Sequence, residues 1–210
     1  MEIAFYPITI VIIAITVFVS IQAMNNPDIK YKYLFYPYKI KQNREHLRFL
    51  SHLFIHGDYL HLFFNMFVLF SFGRMMEFHF GQVFGQAFGS VHFVILYFVG
   101  GFAAALWPLS RNHDNPNYMS LGASGAVSAV LFAAILWNPS SGIYIMFIPV
   151  EIPAWVFGFL YLGFEYYMSK RGTNSGVAHD AHFGGAIFGI LYGLSINFEK
   201  GKEFINYVIS

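Results

Sequence analysis

A chain of 210 residues that is 57% hydrophobic and 20% aromatic, with only 11% charged residues, is not built for water. Its formal charge of +1 gives no footprint for nucleic acid, and the absence of cysteine excludes thiolate catalysis, disulfides and cysteine-ligated metals. Crossing a hydrocarbon core takes about 20 mostly apolar residues. Six stretches approach that length: 8 to 24, 59 to 79, 91 to 107, 121 to 137, 153 to 169 and 182 to 198. With their loops they use residues 1–210, so the expected fold is all-α: one polytopic membrane domain of six transmembrane helices.

The first apolar run is N-terminal, like a signal peptide. Nothing basic precedes it between Met1 and Pro7, and no clear small-x-small site follows, so it is read as retained. The longest polar connection comes next, Asn25 to Asp58, with Lys30, Lys32, Lys39, Lys41, Arg44 and Arg48 interleaved with Tyr31, Tyr33, Phe35, Tyr36 and Tyr38. Amphipathic rings and long basic stems suit the headgroup level, and a solvated basic loop is the alternative. After span four, the apolar run Ile143 to Ile148 between Pro139 and Pro149 is too short to cross and is expected to be interfacial.

Consecutive spans alternate direction, so the N-terminal ends of spans two, four and six open on one side of the membrane. His61 and Asn65 lie near the start of span two, Ser124 near the start of span four and His182 at the start of span six. Polar groups in a bilayer are costly unless partnered, and four converging on one face point to a site. A serine in a small-residue stretch such as Gly122-Ala123-Ser124-Gly125-Ala126 is more often a packing group bonded to a carbonyl. Span six supplies the context. Ala181, Gly185, Gly189 and Gly193 recur every four residues, and Gly125, Ala129 and Ala133 offer a matching small face on span four. Close packing of those faces would bring Ser124 to His182.

Histidine is the base suited to activating a serine hydroxyl near neutral pH, so His182 is expected as general base and then general acid; a core histidine bonded to a carbonyl is the alternative. His61 and Asn65, at i and i+4, share a helix face and can donate hydrogen bonds to an oxyanion, with the Ser124 backbone N–H as a third donor. Interhelical hydrogen bonding is their structural alternative.

These residues closely resemble the rhomboid family of intramembrane serine proteases over spans two to six. The family's His-x-x-x-Asn pattern is His61-Leu62-Phe63-Phe64-Asn65, its Gly-x-Ser-Gly motif is Gly122-Ala123-Ser124-Gly125, and Ala-His-x-x-Gly-x-x-x-Gly is met by Ala181 to Gly189. The resemblance implies a Ser124–His182 dyad, a rhomboid-like bundle supported by Gly122, Gly125, Gly185, Gly189, Glu77 and Arg48, and hydrogen-bonding rather than metal-binding roles for His52 and His56. No cofactor and no metal are called for.

Two departures stand out. The family's Trp-Arg pair reads Leu47-Arg48, and Ser128 replaces a tyrosine that in some bacterial members stacks on the catalytic histidine, leaving the support of His182 unassigned. Asp180, two residues from His182, would project about 200° around a helix, so it and His179 are read as boundary residues of the fifth loop, solvating the site.

The expected function is hydrolysis of peptide bonds in or near transmembrane helices of membrane-protein substrates. The resemblance places the chain in a lipid bilayer, a bacterial inner membrane given its compact form. A non-proteolytic membrane-protein binder or chaperone on the same scaffold is the competitor. A transporter is a third reading, and Glu77 and Glu165, the acidic residues within the spans, lie near span ends and suggest no charged pathway. Orientation is contested: family topology puts three basic residues inside (Arg74, Lys200, Lys202) and nine outside, the six of the first loop with Arg111, Lys170 and Arg171, against the positive-inside rule. Natural substrate and oligomeric state are not legible.

Overall fold

A computed structural model describes residues 7–144, 150–171 and 178–210. Helix α1 (Pro7–Asn25) is followed by two short helices, α2 (Pro27–Tyr33) and α3 (Pro37–Asn43), then by α4 (Arg48–Ser51) with a 3₁₀ turn, His52–Phe54. Helices α5 (Tyr59–Val68) and α6 (Arg74–Phe84) form one continuous rod through a π segment, Leu69–Gly73. There follow α7 (Gln86–Asn112), α8 (Ser124–Trp137), α9 (Ala154–Arg171), α10 (His179–Ile196) and α11 (Phe198–Ile209).

Among the described residues, three helices are long and apolar enough to cross a membrane: Pro7–Asn25, Tyr59–Phe84 and Gln86–Asn112. A fourth is added if α10 and α11, bent by 114°, count as one broken span. Their outer faces carry Phe18, Phe63, Phe67, Phe88 and Phe102 largely exposed, the surface of an integral membrane protein. The other two expected spans fall short. Helix α8 has 14 residues, about 21 Å against a hydrocarbon core of about 30 Å, and α9 carries Glu165, Lys170 and Arg171. α8 tolerates its shortness because every residue from Gly125 to Trp137 is buried, so its ends meet protein rather than lipid.

Helix α8 is the hub, apolar on all sides as a surrounded helix must be. On one side it meets α10 with no room for side chains: a Cβ on Gly185 would lie 2.1 Å from the Gly125 carbonyl oxygen, and one on Gly189 2.1 Å from that of Ala129. The expected pairing of small faces is thus present for two turns. At the third it changes, since Gly193 lies against Leu136 and Trp137, with Trp137 Nε1 donating to the Gly193 carbonyl at 3.4 Å, rather than against Ala133. On the other side, Gly100 and Ala104 of α7 touch Ala129 and Gly125.

Among the described residues, an antiparallel pair of three-residue strands departs from the all-helical expectation: β1 (Gly142–Tyr144) and β2 (Glu151–Pro153), with Ile143 opposite Ile152. The expected interfacial run from Ile143 therefore begins in β1, and its remainder, 145–148, lies outside the described residues.

Helix α1 is fastened by Glu77 of α6. Pro7 has no N–H to satisfy, and the next two backbone donors, Ile8 and Thr9, each reach a Glu77 carboxylate oxygen at 3.0 Å, while Thr9 Oγ1 donates at 2.8 Å. The positive end of the α1 dipole faces the same carboxylate. Glu77→Ala orphans three donors at once, and we expect it to destabilise the protein by about 3 kcal/mol. An unchanged thermal unfolding midpoint in detergent would refute this role.

Candidate active site

The helix starts converge as chain parity requires. Ser124 is the first residue of α8, so the N–H groups of the first turn have no intrahelical partner and point at whatever approaches the serine. Immediately upstream, Gly122 has φ +116°, and a Cβ there would sit 2.7 Å from His61 Cε1. Both the backbone and the ring demand glycine.

The segment entering Ser124 is held by the first loop. Phe35 and Ser120 exchange backbone hydrogen bonds at 2.9 and 3.0 Å, and the Gly122 N–H donates to the His52 carbonyl at 3.0 Å. Tyr36 donates through its hydroxyl to the Pro116 carbonyl at 2.7 Å. Arg48, 4% exposed, ties that loop together by donating to the carbonyls of Tyr31 and Leu34 at 2.9 and 2.7 Å and to the Glu45 carboxylate at 2.5 Å.

His52 and His56 hydrogen-bond, as the resemblance implied. His52 Nδ1 pairs with the Arg48 carbonyl at 2.8 Å. His56 is completely buried, and burial pushes its imidazole down to about 3, so the ring is neutral. Its Nε2 accepts from the Ala123 N–H at 3.3 Å. Nδ1 therefore carries the hydrogen and donates to Ser20 Oγ at 2.9 Å, and Ser20 donates onward to the Phe54 carbonyl at 3.0 Å. Two bonds thus link Ser20 of α1 through His56 to the residue before Ser124, and a third anchors Ser20 to Phe54.

His182 Nε2 lies 2.7 Å from Ser124 Oγ, joining α8 to α10 across the Gly125–Gly185 contact. Ser124 is half-buried and the His182 side chain 14% exposed, so neither is sealed inside the protein. Asn65 is buried and spends one amide hydrogen on the His61 carbonyl at 2.9 Å, which leaves the other available. The His61 ring stands edge-on to His56, with centroids 4.9 Å apart, and flanks Gly122.

The support of His182 comes from Glu165 of α9, a residue read from the sequence only as suggesting no charged pathway. The residue is 4% exposed, with one carboxylate oxygen 3.1 Å from His182 Nδ1 and the other 2.6 Å from His179 Nδ1. Its place near the C-terminal end of α9 is what puts it beside the start of α10. His179 and Asp180 are not solvating loop residues. Both are buried in the first turn of α10, and the Asp180 carboxylate accepts from the Ala181 N–H at 3.0 Å. Ser128, where a stacking tyrosine is missing, faces Tyr161 of α9, the two hydroxyls 3.2 Å apart. The available signal is a lone acidic residue in an apolar helix, but nothing local gives the register of α9 against α10. Glu165, His179 and His182 also form a group whose ligand atoms, all within 4.8 Å of one another, could hold a metal ion; here those atoms bond each other.

The chain is similar to known proteins over most of its length. The chain is 29% identical over 189 residues to "Rhomboid protease GlpG" of Haemophilus influenzae, covering 89% of this chain and 88% of that protein. It is 31% identical over 156 residues to "RHOMBOID-like protein 12, mitochondrial" of Arabidopsis thaliana, covering 70% of this chain but only 45% of the plant protein. The Rhomboid domain model matches residues 43–197, a stretch that takes in every side chain from Arg48 to His182. By that match this chain belongs to the rhomboid family.

Proposed function

We propose that this protein is an intramembrane serine endopeptidase with Ser124 as nucleophile and His182 as general base. The observation that carries the reading is the 2.7 Å approach of His182 Nε2 to Ser124 Oγ at helix starts that share one end of a membrane bundle. His182 takes the Ser124 proton as Oγ attacks the scissile carbonyl carbon. The oxyanion so formed meets the Ser124 N–H, the spare amide hydrogen of Asn65 and, beside them, His61. Donors fixed in such a site contribute roughly 3 kcal/mol each. His182 returns the proton to the leaving amine, and water entering from the same end releases the acyl group.

The substrate class is membrane proteins with a transmembrane segment. A scissile bond must be extended to be attacked, which favours helix-weakened segments with small residues at the cleavage point. The bilayer reading takes α8, α9 and α10 as spans completed by the bundle, six in all with the three long ones, in one domain over 1–210. A bacterial inner membrane is the favoured location, supported by the near-complete coverage of the Haemophilus relative.

The test is labelling of the purified protein by a serine-directed fluorophosphonate. Wild type should label, and Ser124→Ala and His182→Ala should not. Equal labelling of wild type and Ser124→Ala would sink the assignment and leave a non-proteolytic membrane-protein binder as the better reading.

A further inference from the structure

We propose that Glu165 extends the pair into a Ser124–His182–Glu165 relay, as the positioning residue that sets the tautomer of His182, with His179 as the fourth member that holds Glu165 in place. This rests on the protease reading above and assigns within it a residue of α9.

Counting hydrogens fixes the tautomer. An ionised carboxylate only accepts, and each Glu165 oxygen faces a ring nitrogen: His182 Nδ1 at 3.1 Å and His179 Nδ1 at 2.6 Å. Both Nδ1 atoms must then carry hydrogen. A neutral His182 with its hydrogen on Nδ1 presents a bare lone pair at Nε2, the atom 2.7 Å from Ser124 Oγ. That is the tautomer able to accept the serine proton. The opposite tautomer would set the Nδ1 lone pair against a carboxylate. Once Nε2 is protonated, the imidazolium lies directly against the Glu165 charge, which stabilises it most as the transition state forms.

The surroundings hold this geometry rather than merely permitting it. Glu165 is buried with both oxygens paired, and its two partners sit three residues apart on the first turn of α10, hence on one face. One turn earlier on α9, Tyr161 meets Ser128, itself one turn beyond Ser124 on α8. Tyr161 therefore ties α9 to the serine helix, and Glu165, four residues on, ties it to α10. The same three ligand atoms could serve a metal. Yet His182 can hold a metal at Nδ1 only by giving up the hydrogen that fixes its tautomer, so the two roles are mutually exclusive and separable by experiment.

The experiment uses the full chain in proteoliposomes cleaving a transmembrane substrate. Glu165→Gln should lower kcat by about 100-fold or more with KM changed by less than about threefold. The acid limb of its kcat/KM profile should move to lower pH, because the imidazolium loses its countercharge. Glu165→Asp, which keeps the charge, should recover most of the rate and restore the limb. A Glu165→Gln enzyme with wild-type kcat and an unmoved acid limb overturns the relay. So does an activity abolished by a chelator and restored by zinc. Should the variant not fold, the ¹⁵N spectrum of histidine-labelled wild type decides, with His182 assigned through His182→Ala: hydrogen on Nδ1 supports the relay and hydrogen on Nε2 overturns it. If Ser124→Ala still cleaves, the protease reading itself fails; if Ser124→Ala is dead and Glu165→Gln is normal, only the role of Glu165 fails.

Discussion

Ser124→Ala, His182→Ala and the double variant are expected to lose the same activity, about 10⁵-fold in kcat each, rather than the double variant losing the product of the two. The hydroxyl is a weak nucleophile until its proton has somewhere to go, and the imidazole has no task once the hydroxyl is gone. At 2.7 Å the two act as one unit. The residual rate in all three should come from the remaining oxyanion donors and substrate binding. The check is steady-state cleavage of a reconstituted transmembrane substrate with each variant shown to be folded. Losses that multiply would mean that the two side chains act in separate steps.

Gly185→Ala is expected to be among the most damaging single-methyl additions at the described residues. Its Cβ would lie 2.1 Å from the Gly125 carbonyl oxygen and 2.9 Å from the carbonyl carbon, so both parties are backbone and neither can rotate away. Overpacking usually costs about 1–3 kcal/mol, and a rigid contact belongs at or above about 3. The two helices would have to move apart within a turn of His182, so activity should fall along with stability. Gly163→Ala is the control, because nothing lies within 4 Å of its Cβ position on α9. A detergent unfolding midpoint for Gly185→Ala equal to that of the control would refute close backbone contact between α8 and α10.

The missing tyrosine shows what a single sequence conceals. Ser128 announces that His182 lacks one kind of support, but its replacement lies on a different helix, at Glu165, and no spacing along the chain connects them. Parity puts the C-terminal end of α9, and Glu165 with it, at the same end of the bundle as His182. It does not say which way the side chain faces, which depends on the register of α9 against the start of α10. His179 misleads for the same reason: close to a loop in sequence, it is nonetheless buried against a carboxylate. Glu77 is more legible, because a structural role is expected of it, though nothing along the chain shows that it caps α1 through Ile8 and Thr9.

The alternation of apolar spans is enough to say which residues share an end of the bundle, and glycines at four-residue intervals say which helix faces can touch. Both follow from helix geometry and the bilayer's intolerance of stray polar groups, which act locally along the chain. Other features exist only once the helices have packed: α8 is too short to cross unaided and is instead sheathed in protein, the first loop reaches Ala123 through His56, and a carboxylate from α9 meets the outer nitrogen of His182. Those outcomes depend on the rotation and offset between helices, which are set by side-chain packing over the whole interface and leave no periodic trace in the chain.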